Sequence, residues 1–218
     1  MKKYKITFNF KTPISFIDAP TFDGILSYAY VRELFEQQGK QFVQKLSYSD
    51  KEIIDYSKMP LNMHPDGYFY ASIMLFDDSK AVEDIQKWRK RWDAKHDNIA
   101  DFGKNIRKID TQRGTFKSYD VPISTKLVSQ SWFVFCSDNI TEVERLIKKW
   151  IHFIGKKRSQ GYGEIESFTI EETEDMIARP IPKNPNEWKN VTKINFCTYK
   201  PPYWDVKKAK PCALVEIA

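Results

Sequence analysis

The opening of the chain alternates. Tyr4, Ile6, Phe8 and Phe10 fall on one side, and Lys5, Thr7, Asn9 and Lys11 on the other. That period of two predicts a strand over residues 3–11, buried on one face. A loop with Pro13 and Pro20 follows, and the period then changes. Thr21 is placed as an N-cap for a helix whose apolar positions are Phe22, Ile25, Leu26, Ala29, Tyr30, Leu34 and Phe35, ending near Gly39. Residues 67–76 form a long apolar run and are predicted as the next strand. Residues 81–95 read two ways, as a helix or as one arm of a long hairpin, with Ile85, Trp88 and Trp92 aligned. Residues 121–127 look like a returning strand and residues 131–136 like another.

The second helical pattern is the clearest. Thr141-x-x-Glu144 reads as a capping box. Val143, Leu146, Ile147, Trp150, Ile151 and Ile154 then recur at three and four, and Gly155 stands where a left-handed C-cap is expected. A strand is predicted over residues 164–170. Beyond residue 172 the texture changes: Arg179-Pro180-Ile181-Pro182 and Pro201-Pro202-Tyr203-Trp204 punctuate two further strands, over 191–199 and 212–217. The expected core comprises Tyr4, Ile6, Phe8, Leu26, Leu34, Ile73, Leu75, Phe133, Phe135, Leu146, Trp150 and Phe168.

Composition adds one point that changes this picture. The chain has 218 residues, 41% of them hydrophobic, and a net charge of +6. The whole excess is local: between Lys87 and Lys126, eleven Lys and Arg face five Asp. A basic excess confined to one segment is a footprint for a polyanion, with a solvated surface excursion as the alternative. Three widely spaced cysteines, Cys136, Cys197 and Cys212, form no CxxC pair and fit reduced thiols in a cytoplasmic protein rather than a zinc site or disulfide framework. No run is apolar enough to span a membrane, and the alternating first residues fit a strand better than a signal peptide.

The sharpest chemical signal is the stretch Gly155-Lys156-Lys157-Arg158-Ser159-Gln160-Gly161-Tyr162-Gly163. Its three glycines permit close backbone approach to a bulky ligand and leave amides to point at it. Lys156, Lys157 and Arg158 supply charge for phosphate, and Tyr162 a face for a base. The alternative is a helix cap followed by a β-turn with a solvated basic tip. A P-loop does not fit, because the glycines close a helix instead of opening one.

A strand, a helix, a Gly-x5-Gly-x-Gly turn holding Lys and Arg, and a strand resemble the glycine-rich loop of the RAMP superfamily, the ferredoxin-like RNA-binding subunits of CRISPR effector complexes. Asp18-x4-Asp23-Gly24-Ile25-Leu26-Ser27-Tyr28-Ala29 resembles a signature near the start of several such subunits. The Arg-Pro-x-Pro and Pro-Pro-Tyr-Trp elements resemble the tail of the small RAMP subunit of type IV CRISPR systems. A Pro-rich tail folding its aromatics back on the domain is the alternative there.

The resemblance implies an α+β fold. A ferredoxin-like (RRM-like) βαββαβ domain would occupy residues 1–172, with a long basic insertion, the thumb, at about 77–127. A Pro/aromatic strand extension at 173–218 would pack on the same domain. It implies a subunit that holds the five-prime handle of a guide RNA (crRNA), beside other CRISPR effector subunits, and that meets target nucleic acid through the complex. The residues expected on RNA are Gly155, Lys156, Lys157, Arg158, Gln160, Gly161, Tyr162 and Gly163 of the turn, with Lys87, Arg89, Lys90, Arg91, Arg107, Lys108 and Arg113 of the insertion.

No catalytic residue, metal ligand or cofactor is predicted. The three histidines, His64, His96 and His152, lack an evident acid/base partner in sequence, and His152 is read as structural or exposed. The competing expectation is a metal-independent endoribonuclease that processes repeat RNA, for which Tyr, Lys and His would have to act together. A general RNA- or DNA-binding module is the third.

Overall fold

The computed structural model describes residues 1–40, 54–90, 110, 112, 117–182, 194–203 and 205–217. Strand β1 (Lys2–Phe16) alternates as its sequence demands, with Tyr4, Ile6, Phe8 and Phe10 buried. It runs past the predicted end because its pairing continues through a register shift between Asn9 and Ile14. Helix α1 (Phe22–Gln37) begins at Thr21, whose side chain accepts from the Gly24 amide. Strand β2 (Val82–Lys90) settles the ambiguous segment as a hairpin arm: it pairs antiparallel with β3 (Tyr119–Ser137), without a register shift, from Val82↔Leu127 to Lys90↔Tyr119. The two short strands predicted at 121–127 and 131–136 are therefore one strand. Its first half belongs to the hairpin and its second half pairs with β1.

Helix α2 (Ile140–Trp150) starts earlier than the Thr141 box predicts, because Asn139 caps it, accepting from the Glu142 amide at 3.1 Å. Only half a capping box forms, since the Glu142 carboxylate turns to Arg145 instead. The helix also ends earlier, at Trp150. From Ile151 the chain is extended, so Gly155 is not a helix cap. Strand β4 (Ile165–Glu172) then pairs antiparallel with β1. The sheet order is β2-β3-β1-β4.

Residues 67–76 are not a regular strand. They touch β3 through isolated bridges, Ala71↔Phe135 and Leu75↔Trp132. The interruption has a local cause: the Ser72 hydroxyl accepts from the Val134 amide at 2.9 Å and donates to the Ile73 carbonyl, inserting a side chain into the ladder. The Ile73 amide turns the other way, to the Ala178 carbonyl, and the Ser72 carbonyl accepts from Phe22. This segment thus joins the sheet, the start of α1 and the C-terminal strands.

Those strands are β5 (Ile177–Pro182), β6 (Ile194–Cys197) and β7 (Lys210–Ile217), an antiparallel sheet of order β5-β7-β6. The Arg-Pro-x-Pro element is strand β5 itself, its two prolines tolerated because β5 lies at the edge of its sheet. The main core holds Ile6, Phe8, Phe22, Leu26, Phe69, Phe133, Phe135, Leu146 and Ile147, all nearly inaccessible. Of the expected core, Leu34, Ile73, Leu75, Trp150 and Phe168 are only half-buried. The Trp150 N–H needs a polar partner and donates to Glu33 at 2.7 Å.

Candidate nucleic-acid interface

Beyond α2, residues 152–156 run extended between the end of β1 and the start of β4. The Lys156 amide donates to Ser15, Ile154 to Gly163, and Ile165 to His152. The glycine-rich turn joins these two arms as a short hairpin. Its tip is a single 3-10 turn, Arg158–Gln160, entered through Lys157 at φ 55 and left through Gly161 at φ 88. Lys157 has the one left-handed non-glycine backbone among the described residues, a conformation that costs an L-residue about 1–2 kcal/mol.

The three glycines have different causes. A Cβ on Gly163 would lie 1.9 Å from the Ile154 carbonyl oxygen, and one on Gly155 2.5 Å from Ile14 Cγ1. Both are needed for close packing of the arms. Gly161 faces open space. The amides also behave differently from the sequence expectation. Those of Gln160 and Tyr162 donate to Lys157, that of Gly161 to Arg158, and that of Gly163 to Pro13. Thr12 Oγ1 donates to the Gly161 carbonyl at 2.5 Å and accepts from the Glu164 amide. These four amides are satisfied within the fold and do not point outward at a ligand.

Those side chains border an open cleft of about 1040 Å³. Lys156, Lys157, Arg158 and Gln160 form one wall, Lys87 and Arg89 of β2 with Tyr119 of β3 form another, and Tyr28 and Arg32 of α1 with Trp150 and His152 complete it. Six Lys or Arg and no Asp or Glu line it among the described residues. Arg89 is tempered by an ion pair with Asp120 at 3.0 Å. Aromatic faces are already approached by guanidinium groups: Arg32 lies 4.5 Å from the Trp150 ring centre, and Arg158 5.9 Å from that of Tyr28. Charge for phosphate and flat faces for bases thus share one depression.

Behind the cleft, α1 and α2 are tied by a buried carboxylate. Glu33 is 8% exposed and bonds Trp150, Arg145 at 3.1 Å and Lys149 at 3.0 Å. Burial pushes its carboxyl up, but the Trp150 N–H, Lys149 and Arg145 outweigh this and hold it below the ordinary carboxylate value. Trp150 is therefore held in place by the helix pair rather than by the cleft.

Of the residues expected from sequence, Gly155, Lys156, Lys157, Arg158, Gln160, Lys87 and Arg89 converge on the cleft. Gly161, Tyr162 and Gly163 belong to the turn but do not line it. Lys90 ends β2, while Arg91, Arg107, Lys108 and Arg113 lie outside the described residues, as does His96. Sequence reasoning missed Tyr28, Arg32, Tyr119 and Phe153, placed Trp150 in the core, and read His152 as structural or exposed. For Tyr28 a signal existed, since it sits within the Asp-Gly motif of α1, but Arg158, whose guanidinium lies 5.9 Å from its ring centre, is remote from it in the chain.

Among the described residues no helix is long and apolar enough to cross a membrane, and no cluster of His, Cys, Asp and Glu could hold a metal ion. No curated protein sequence matches the chain. A family model, CRISPR type IV associated protein Csf3, matches residues 2–215, nearly the whole chain. A mixed α/β chain with antiparallel sheets and a basic cleft between a glycine-rich turn and a hairpin therefore belongs to the Csf3 family of type IV CRISPR-associated proteins.

Proposed function

We propose that this subunit binds the handle of a guide RNA and caps one end of a type IV CRISPR ribonucleoprotein, without cleaving the RNA. One observation carries the reading: the cleft joins the glycine-rich turn to the foot of the basic hairpin, with six cations and no acid among the described residues that line it. Such a surface suits a single-stranded phosphate backbone with bases turned onto Tyr28 or Trp150. The element order βαββαβ and sheet order β4-β1-β3-β2 support a ferredoxin-like reading of the main sheet. The basic insertion would contact the adjoining guide and neighbouring subunits, and target nucleic acid would be met through the assembled complex. Reduced thiols at Cys136, Cys197 and Cys212 accord with a cytoplasmic setting.

A second reading, metal-independent cleavage of repeat RNA, is favoured by one observation. His152 lines the same cleft as Tyr28 and Lys156, the combination such chemistry needs. A single titration separates the two. The purified chain is mixed with repeat RNA in EDTA, alongside the Lys156→Ala/Lys157→Ala/Arg158→Ala and His152→Ala variants. Salt-sensitive binding that the triple variant loses, with the RNA intact throughout, is expected. Specific cleavage abolished by His152→Ala would establish the nuclease instead.

A further inference from the structure

Beside the cationic cleft lies a second, smaller cavity of about 360 Å³ between the turn, the loop before α1 and the first turn of α1. Tyr28, Phe153, Gly155, Lys156 and Arg158 border both spaces, so the two adjoin. Their chemistry differs. The inner cavity is lined mainly by apolar groups, including Phe16, Ile25 and Phe153. The first-turn amides of α1 offer no anion site there: that of Gly24 is already taken by Thr21 Oγ1 at 3.3 Å and Asp23 Oδ1 at 3.1 Å, and Ile25 donates to the Thr21 carbonyl. Besides Lys156 and Arg158, the charged side chain with an exposed head at this cavity is that of Asp18, a carboxylate.

A phosphate cleft adjoining a flat-walled apolar recess fits a nucleotide whose phosphate and base are separated. The volume lies near the lower end of the range for small-ligand sites, about 300–1,000 Å³, and suits one base rather than a base pair. We infer that one unstacked nucleotide of the bound RNA inserts its base into this recess, with its phosphate on Lys156 and Arg158, and that Asp18 selects guanine. The inference rests on the RNA-binding reading given above. The selectivity follows from donor arithmetic. An ionised carboxylate only accepts hydrogen bonds, through two oxygens side by side. Guanine offers two adjacent N–H donors on its Watson–Crick edge, at N1 and N2. Uracil offers one, between two carbonyls that the carboxylate repels. Single-stranded RNA is read in this way, by splayed bases stacked on aromatics and bonded along that edge.

The test compares the full chain on an oligouridine of about 12 nucleotides, near the usual single-strand site size, with the same oligomer carrying one central guanosine. Fluorescence anisotropy reads the affinities. Guanosine should tighten binding by about tenfold. Asp18→Asn should reduce that advantage to less than about twofold, a loss of one bidentate contact, while leaving oligouridine binding no weaker. Lys156→Ala/Arg158→Ala should weaken both oligomers alike. Far-ultraviolet circular dichroism checks that each variant is folded. Equal affinity for the two oligomers, or a guanosine advantage that survives Asp18→Asn, would overturn the base recess and leave the RNA-binding reading intact. Failure to bind either oligomer would overturn both.

Discussion

The Asp23 carboxylate and the Arg179 guanidinium form an ion pair at 2.7 Å with both side chains inaccessible to solvent. Asp23 lies in the first turn of α1 and Arg179 in β5. The Tyr203 hydroxyl also donates to Asp23, and Arg179 donates to the Ala71 and Tyr199 carbonyls. Burial acts to lower the basicity of Arg179, but the Asp23 charge outweighs it, so the guanidinium stays protonated. Burial, and then the same carboxylate, push the Tyr203 hydroxyl well above its ordinary value. Three short motifs far apart in sequence thus meet at one buried point.

Breaking that pair leaves a charge uncompensated in the interior. Arg179→Ala or Asp23→Asn is expected to cost about 3–5 kcal/mol, read by urea denaturation. The double variant should cost less than the two single changes added together, since each already removes the shared interaction. Full additivity would mean that the two side chains act independently.

The glycines of the turn should differ in their cost to folding. Gly163→Ala drives a Cβ into the Ile154 carbonyl at a left-handed φ of +73°, and a loss of about 3 kcal/mol or more is expected. Gly161→Ala meets nothing within 4 Å and should cost only about 1 kcal/mol, for its left-handed backbone. Gly161→Val should cost more stability than Gly161→Ala, because a β-branched residue tolerates a left-handed backbone poorly, and should change RNA affinity little, because Gly161 does not line the cleft. Thermal melts beside RNA titrations decide this, and a valine variant that folds but loses RNA affinity would place the position at the interface.

RNA affinity should fall steeply with salt. If six cations each meet a phosphate, the log–log slope for a single strand is about −4. Lys87→Ala/Arg89→Ala should flatten it by roughly one unit or slightly more, because both residues line the cleft but Arg89 already shares its charge with Asp120. An unchanged slope would remove the hairpin from the interface.

Glu33 predicts an acid-sensitive helix pair. Its folded carboxyl titrates below the unfolded value, near 4.3, so its contribution is fully present above that pH. The contribution is lost as pH falls through the lower folded value. Glu33→Gln should therefore destabilise the protein near neutrality, by about 1–3 kcal/mol, and the difference from wild type should shrink under acid. Denaturation curves at a series of pH values measure it.

Much of this architecture was legible in the chain. The alternation of Tyr4 to Phe10 and the three-and-four spacing from Val143 to Ile147 specify β1 and α2, because local periodicity and one-sided burial agree there. The turn at 155–163 and the basic character of the hairpin were likewise visible as composition. Residues 67–76 misled, because an apolar run does not reveal that Ser72 will enter the ladder with its hydroxyl. Asn139 preceded Thr141 as the cap for a similar reason: several side chains could serve, and the packing of the helix chose among them.

By itself, the sequence determined β1, the two helices and the local sign of charge, since these depend on neighbours within a few residues. Tertiary structure alone decided which of those elements meet. Arg32 and Trp150 stack at 4.5 Å although they are far apart in the chain, and Asp23 finds Arg179 only when the C-terminal sheet closes on α1. The Gly163 amide was likewise committed inward by the Pro13 carbonyl of β1, and the Gly161 carbonyl by the Thr12 hydroxyl. Contacts of that range are set by how the sheets and helices pack, and no local pattern encodes them.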